Sequence, residues 1–348
     1  MFRLTPRGVE TVLYSFCAQT NCADGANPGA ALIMDEAENL YGTTPVGGAN
    51  DRGTVFELTP GGRETVLYSF CAQTSCVDGS TPLAALIVDK WGNLYGTTDV
   101  GGANDRGTVF GLTRRGTETV LYSFCAQTNC ADGSGTRADL IMDKRGKLYG
   151  TTTLGGRNNV TFLEGGGTVF KLTPGGRETV LYSFCAQTNC ADGALPEAAG
   201  PSLIVDKRGN LYGTTAAGGA NNISFPGGVG TVFELMPSGT ETLLYSFCAQ
   251  TNCTDGATPT AGLIMDKAGN LYGTTFHGGG TSDDGTVFEL THRGTETVLY
   301  SFCAQTDCGD GALPQAGLIM DKAGNLYGTT VQGGANNFLG GVVFQLTP

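Results

Sequence analysis

The sequence contains 348 residues, of which 56 are glycine and only 15% are charged. This composition suits short strands joined by turns and excludes an architecture of long charged helices. The net charge of -12, without a basic run, excludes nucleic acid and anionic membrane surfaces as expected partners, because both are bound through Lys and Arg. The apolar runs of four to seven residues are too short for membrane insertion.

An internal repeat organises the whole chain. The phrase LYSFCAQT occurs six times at intervals of 54 to 63 residues, with its tyrosine at Tyr14, Tyr68, Tyr122, Tyr182, Tyr245 and Tyr300. Extra residues occur only after Gly155-Gly156, after Gly218-Gly219 and before Leu203, which indicates that these places are loops. The chain is therefore expected to be one domain, residues 1–348, built from six similar units.

Each unit contains four short apolar runs, which we number first to fourth. In the second unit they are 84–89 (AALIVD), 93–98 (NLYGTT), 108–113 (TVFGLT) and 118–124 (ETVLYSF), and the last run alternates with a period of two. Glycine, proline and aspartate turns separate the runs. The pattern predicts an all-β fold: a six-bladed β-propeller with four antiparallel strands per blade, the first strand innermost and the fourth outermost.

The two ends of the sequence complement each other. The chain begins with a third and a fourth run, and it ends, in Leu318–Thr347, with a first, a second and a third. Glu10–Phe16 is therefore expected to supply the outer strand of the last blade and close the ring, which removes exposed sheet edges. Phe2–Pro6 then duplicates Phe344–Pro348, so it is expected either to be displaced and disordered or to pair with another molecule.

The units resemble a known repeat. DKWGNLYGTTDVGG, GTVFELTP and LYSF followed by DG are similar to the GloVer-type tandem repeat of secreted bacterial proteins. The D-x-x-G-N-L turn also resembles the blade repeat of two-component regulator propellers. The resemblance extends over essentially the whole chain and implies a β-propeller on the outside of a bacterial cell, but it implies no activity. The CAQTNC loop is not part of the general repeat.

All twelve cysteines lie in six pairs with four intervening residues: Cys17–Cys22, Cys71–Cys76, Cys125–Cys130, Cys185–Cys190, Cys248–Cys253 and Cys303–Cys308. A zinc or iron–sulfur site needs about four converging ligands, whereas each loop provides two thiols and no histidine. A local disulfide is expected, because such a loop can bring the Cα atoms to about 4.4–6.8 Å. Bridging between blades or between subunits is the remaining alternative.

Disulfides indicate an oxidising compartment. The N-terminal sequence MFRLTP does not have the pattern of a signal peptide. Because the paired cysteines carry more weight, the protein is expected to be extracellular or at a cell surface, as a mature or truncated piece of a longer precursor.

Two series of aspartates recur once per unit. In the first, a carboxylate that binds the backbone of the D-x-x-G turn explains Asp35, Asp89, Asp143, Asp206, Asp266 and Asp321. The second series precedes a glycine after the cysteine loop: Asp24, Asp78, Asp132, Asp192, Asp255 and Asp310. A turn role is favoured for the second series over a ring of carboxylates that binds Ca²⁺, so no cofactor is expected.

No catalytic residue is expected. His277 and His292 lie in different connections, on opposite faces of the predicted disc, and no serine or thiol stands beside a base. Trp91, the only tryptophan, is interpreted as a packing residue or as a chance replacement of Arg or Ala. Asn159, Asn222 and Asn252 begin acceptor triplets for N-glycosylation.

The sequence favours a non-enzymatic extracellular module with a structural or adhesive role. Self-assembly into filaments through the spare N-terminal strand would fit near-identical blades, because a symmetric surface suits repeated contacts. The alternative is a propeller that binds a glycan or another ligand through the loop face that carries the CAQTNC loops. An enzyme is the least favoured reading.

Overall fold

The computed structural model describes residues 1–5, 7–158, 164–196, 202–221, 229–280, 282–335 and 340–348. In these residues the chain forms 25 β-strands and six 3₁₀ helices, and no α-helix. The fold is all-β, a six-bladed β-propeller of antiparallel sheets, as the repeat predicts; among the described residues five blades have four strands and the last blade has three.

Five sheets contain four strands each, paired in chain order. Their strands are β3 (Ile33–Met34), β4 (Leu40–Thr44), β5 (Thr54–Leu58) and β6 (Glu64–Ser69); β7 (Ile87–Val88), β8 (Leu94–Thr98), β9 (Thr108–Leu112) and β10 (Glu118–Ser123); β11 (Ile141–Met142), β12 (Leu148–Thr152), β13 (Thr168–Leu172) and β14 (Glu178–Ser183); β15 (Leu203–Val205), β16 (Leu211–Thr215), β17 (Thr231–Leu235) and β18 (Glu241–Ser246); and β19 (Ile264–Met265), β20 (Leu271–Thr275), β21 (Thr286–Leu290) and β22 (Glu296–Ser301).

The two ends of the chain form smaller sheets. β1 (Phe2–Leu4) pairs with β2 (Glu10–Val12), and the last sheet contains β23 (Ile319–Met320), β24 (Leu326–Thr329) and β25 (Val343–Leu346). The 3₁₀ helices lie in the cysteine loops, at Thr20–Cys22, Thr74–Cys76, Thr128–Cys130, Thr188–Cys190, Thr251–Cys253 and Thr306–Cys308.

The chain divides into two compact units, residues 1–148 with 171–179, and residues 149–170 with 180–348. In each unit, a phenylalanine that follows a fourth strand packs edge-to-face against a phenylalanine in the third strand of the next sheet. The ring centroids of Phe70 and Phe110 are 5.0 Å apart in the first unit, and those of Phe247 and Phe288 are 5.1 Å apart in the second. These rings are fully buried, so the repeated phenylalanines hold neighbouring sheets together.

The glycine of the LYGTT strand is required by the same aromatic packing. A Cβ atom on Gly96 would lie 2.7 Å from Cζ of Phe110 and 2.9 Å from Cδ2 of Leu86. Both side chains are buried, so neither can move away without cost. The absence of a side chain at Gly96 in the second strand is therefore what lets the Phe110 ring of the third strand pack closely against it.

We expect Gly96→Ala to lower the free energy of unfolding by about 1–3 kcal/mol, because the added methyl group overpacks this contact. Urea-induced unfolding measures the change. Gly111→Glu is the matched control, because glutamate stands at the equivalent positions Glu57, Glu234 and Glu289. A Gly96→Ala protein as stable as the control would contradict this account of the motif.

The prediction that Glu10–Phe16 closes the ring is wrong. β2 pairs with β1 instead, with Phe2 opposite Val12 and Leu4 opposite Glu10, and the sheet of β25 has three strands. β1 is therefore paired rather than displaced. Only five residues join β1 to β2, so the entropy lost in closing this hairpin is smaller than that for pairing β2 with a strand more than 300 residues away.

Candidate functional site

Each cysteine loop is a compact ring closed by its own disulfide. The bonds are Cys17–Cys22, Cys71–Cys76, Cys125–Cys130, Cys185–Cys190, Cys248–Cys253 and Cys303–Cys308, and the described residues contain no free cysteine. Their Cα atoms are 4.0 Å apart, closer than the expected range. The chain turns this tightly because Cys71, Ser75 and Cys76 all have positive φ. The structure thus has the local pairing and not a bridge between repeats.

An aspartate holds each cysteine loop in place; it is fully buried in the first five repeats and half-buried in the sixth. The carboxylate of Asp78 accepts hydrogen bonds from the Tyr68 hydroxyl at 2.8 Å, the Ala72 N–H at 2.8 Å and the Gln73 N–H at 3.2 Å. The same three bonds occur in every repeat, at Asp24, Asp78, Asp132, Asp192, Asp255 and Asp310. This is the structural role favoured by the sequence, and the calcium alternative stays untested.

Hydrogen bonding keeps the Asp24 carboxylate ionised despite its burial. Burial alone raises the pKa of Asp24, but hydrogen bonds from the Ala18 and Gln19 backbone and the Tyr14 hydroxyl outweigh it and bring the pKa below its ordinary value. The pKa of Tyr14 rises to about 12 through burial and its bond to Asp24. The tyrosine therefore stays protonated and donates to the carboxylate.

The glutamate that begins the fourth strand of the next repeat faces this aspartate. Burial, followed by the charge of Asp78, raises the pKa of Glu118 to about 7. Its Oε1 atom is buried and has no hydrogen-bond partner within the described residues. Four other glutamates have the same environment and also a pKa of about 7: Glu64, Glu178, Glu241 and Glu296. Sequence reasoning missed this group, although the glutamate recurs six times, five times in ETVLYSF and once in ETLLYSF, which was a visible signal.

The loop between the second and third strands packs on the cysteine loop, as the propeller topology predicts. Gly102 N–H donates to the Cys76 carbonyl at 2.9 Å, and Ser80 forms an isolated bridge with Val100. Of the predicted glycosylation residues, Asn252 lies exposed in its cysteine loop. Asn159 and Asn222 lie outside the described residues.

The D-x-x-G turns lie at the other ends of the strands, and their aspartates bind the turn as predicted. Asp89 Oδ1 accepts from the N–H groups of Trp91 and Asn93 at 2.9 and 2.8 Å. Asp89 Oδ2 accepts from the Asn93 amide and the Tyr95 hydroxyl at 2.9 and 3.2 Å. Of the two interpretations of Trp91, packing is wrong, because 69% of this residue is exposed.

The two histidines lie apart. His277 follows β20 and places Nδ1 3.4 Å from Asp283 Oδ2. His292 follows β21, which is antiparallel to β20, so the two residues occupy opposite ends of the sheet. This agrees with the expectation that they do not act together.

Within the described residues, the last sheet has an edge strand without a partner, and a cavity lies beside it. The side chains of β25 are alternately exposed and half-buried, whereas the third strands of the complete sheets are almost fully buried. A cavity of about 240 Å³ lies here, lined by Tyr300, Phe302, Val342 and Phe344 among others. An unpaired strand edge beside apolar side chains can accept a further strand.

These features define a class: an all-β propeller protein made of tandem repeats, each with a disulfide-closed loop. The chain belongs to the Gloeobacter/Verrucomicrobia repeat family, whose model matches residues 1–224 and 202–348. No curated protein matches the sequence.

Solved structures with a similar fold include several enzymes. A luciferin-regenerating enzyme is 13% identical over 92% of this chain and 91% of its own, with a TM-score of 0.51. A candidate gluconolactonase is 14% identical over 84% of this chain and 81% of its own, with a TM-score of 0.43. A candidate 6-phosphogluconolactonase from Bacteroides uniformis is 16% identical over 86% and 90%, with a TM-score of 0.42. At these identities the likeness concerns the fold alone.

Two findings bear on where the protein resides. The six disulfides indicate an oxidising environment. In the part of the chain that the structure describes, no helix has the length and apolar character needed to cross a membrane.

Proposed function

We propose that the protein is a non-enzymatic structural module of the cell exterior, which assembles by strand exchange between copies. The observation that carries this proposal is that β1, which pairs with β2, has the same Phe-x-Leu series as β25, whose sheet has no fourth strand among the described residues. Six disulfide-closed loops suit an extracellular role. The recurrent aspartates and tyrosines are engaged in turns and loop closure, which supports a structural rather than a chemical use.

The complete sheets define how a third strand pairs with a fourth. In the fifth sheet, Val287 lies opposite Tyr300, Phe288 opposite Val298, and Leu290 opposite Glu296. The sequence ETVLYSF occurs both in this fourth strand and at residues 10–16. The N-terminal segment therefore has the sequence that these third strands accept.

Applied to the chain ends, the same register places Phe344 opposite Val12 and Leu346 opposite Glu10. These are the positions that Phe2 and Leu4 occupy in the hairpin. β25 of one copy would thus displace β1 of another from β2, and Val343 would take the place of Met1, which bonds to the Tyr14 backbone in the hairpin. Because each copy has one donor strand and one acceptor edge, the contact is heterologous and repeats head to tail into a filament.

Light scattering and negative-stain electron microscopy of the full chain test this proposal. We expect filaments whose amount rises with protein concentration, and we expect a peptide of residues 9–16, VETVLYSF, to shorten them by occupying the edge of β25. A scrambled peptide is the control. A variant without residues 1–5 lacks the competing strand and should assemble at lower concentration. Particles with the mass of one chain at every concentration, in both proteins, would overturn the proposal.

Recognition of a glycan by the face of the cysteine loops stays a prediction. The described geometry supports a different place for ligand binding.

A further inference from the structure

A groove lies between the D-x-x-G turns of the second and third sheets, at the strand ends away from the cysteine loops. Its volume is about 490 Å³, within the range of sites for small ligands. Residues of both turns line it, and Pro174 closes one side. All of them belong to the first compact unit.

The Trp91 indole lines this groove, and the turn that carries it forms in other repeats without an aromatic side chain. Trp91 is 69% exposed, and Lys90 Nζ lies 4.5 Å from its ring centroid. The turn uses only the backbone N–H of this residue, which Asp89 binds. Other repeats form the same turn with Ala37, Arg145, Arg208, Ala268 or Ala323 at this position. A large exposed aromatic side chain in a groove is typical of a binding surface.

Basic side chains line the groove, although the chain as a whole has a net charge of -12. Lys90, Lys144 and Arg145 line the groove, and Arg114 packs against Gly92 beside it. Neither Lys144 nor Arg145 forms an ion pair with any described residue.

The two carboxylates at the groove, Asp89 and Asp143, accept hydrogen bonds within their own turns. Asp89 accepts four hydrogen bonds from its turn. Asp143 Oδ1 accepts from the N–H groups of Arg145 and Lys147 at 2.8 and 2.9 Å. The side chains left to meet a ligand are therefore an aromatic plane and positive charges.

We propose that this groove binds an acidic oligosaccharide of the uronic acid type. The C–H face of a sugar ring packs on an indole plane, and its hydroxyl groups keep contact with water and with polar side chains. The carboxylate of a uronic acid pairs with Lys144 and Arg145 through charge-assisted hydrogen bonds. A neutral sugar would leave those cations unused. This binding does not depend on assembly through the chain ends.

The single tryptophan makes the test direct, because all indole emission comes from the groove. We expect a saturable change in the tryptophan fluorescence of the full chain on titration with a galacturonic acid hexamer. Cellohexaose, the neutral control, should cause none. Raising the salt from about 50 mM to about 500 mM should weaken binding through screening.

Two variants separate the contributions. Lys144→Ala with Arg145→Ala should weaken binding of the galacturonic acid hexamer about tenfold or more by fluorescence, through loss of the charged contacts. Trp91→Ala, followed by calorimetry, should weaken it about tenfold through loss of the aromatic plane. Ala268 and Ala323 show that the turn tolerates alanine at the positions of Trp91 and Arg145, and an unchanged melting temperature verifies that each variant, including the Lys144 change, keeps the fold.

Any of four results would overturn the proposal. The first two are no saturable fluorescence change and an equal response to cellohexaose; the others are full affinity in Trp91→Ala and full affinity in the Lys144→Ala, Arg145→Ala protein. Full affinity in the Lys144→Ala, Arg145→Ala protein would be compatible with an aromatic contact to the sugar, but it would show that the ligand need not be acidic. Full affinity in Trp91→Ala would place the bound sugar elsewhere on the molecule.

Discussion

Replacing Asp78 by alanine is expected to lower the free energy of unfolding by about 3–5 kcal/mol. The substitution leaves the Tyr68 hydroxyl and the N–H groups of Ala72 and Gln73 without their acceptor, at a site where the aspartate is fully buried. Each lost partner costs about 1–3 kcal/mol. Differential scanning calorimetry measures the loss, and limited proteolysis should show cleavage in residues 71–79, because the cysteine loop loses its attachment to the sheet.

Asp307→Asn is the matched control for this change. Asp307 is exposed, has φ of 55°, and stands where Asn21, Asn129, Asn189 and Asn252 stand in other repeats. Asparagine tolerates this left-handed conformation well, so stability should stay within about 0.5 kcal/mol. If Asp78→Ala unfolded as the control does, the disulfide alone would fix the loop and the aspartate would be dispensable.

Much of the fold can be predicted from the repeat, because the same pattern of four strands recurs along the sequence in six units. The predicted runs 93–98, 108–113 and 118–124 match β8, β9 and β10 within a residue. The first run, 84–89, is shortened to β7. Its early residues bond to neighbouring sheets instead: Ala84 accepts from the Thr43 hydroxyl at 2.9 Å, and Ala85 donates to Asp139 Oδ1 at 2.6 Å. Such contacts between repeats are invisible to a reading of one unit.

The candidate sites divide in the same way. The disulfides and the turn aspartates are local, so their spacing predicts them. Glu118 and Asp78, two carboxylates that interact through their charges, are 40 positions apart in the sequence. Their proximity depends on how one sheet packs against the next. The prediction of ring closure was wrong for another reason. Phe2–Leu4 and Val343–Leu346 have equivalent side chains, so the sequence alone does not show which of the two segments pairs with β2.

The glutamates that face the loop aspartates should make the protein less stable as pH rises. Burial and the nearby aspartate raise the pKa of Glu64, Glu118, Glu178, Glu241 and Glu296 from 4.5 to about 7. The folded chain therefore holds protons that the unfolded chain releases. The stabilisation is fully present below pH 4.5 and is lost as pH rises from about 4.5 to about 7. Because these side chains are half-exposed, screening reduces the effect to about 1 kcal/mol each.

The opposite trend begins at lower pH. Burial raises the pKa values of Asp24, Asp35 and Asp89, but hydrogen bonds from their turns and loops bring all three below the ordinary value. A depressed carboxyl pKa contributes stability that is lost as pH falls through it, so protonation of these groups should destabilise the fold below about pH 4. The melting temperature is therefore expected to be highest near pH 4.5–5 and to fall by several degrees towards pH 8.

Glutamine at all five glutamate positions separates this cause from general charge repulsion. A neutral side chain of the same shape cannot lose a proton, so the melting temperature of that variant should become flat between pH 5 and pH 8, while the fall below pH 4 persists. Glu10→Gln is the control, because Glu10 begins the same motif but is exposed, and the pH dependence should remain. An undiminished fall towards pH 8 in the fivefold variant would assign it to the net charge of -12 acting on the whole molecule, and not to these contacts between repeats.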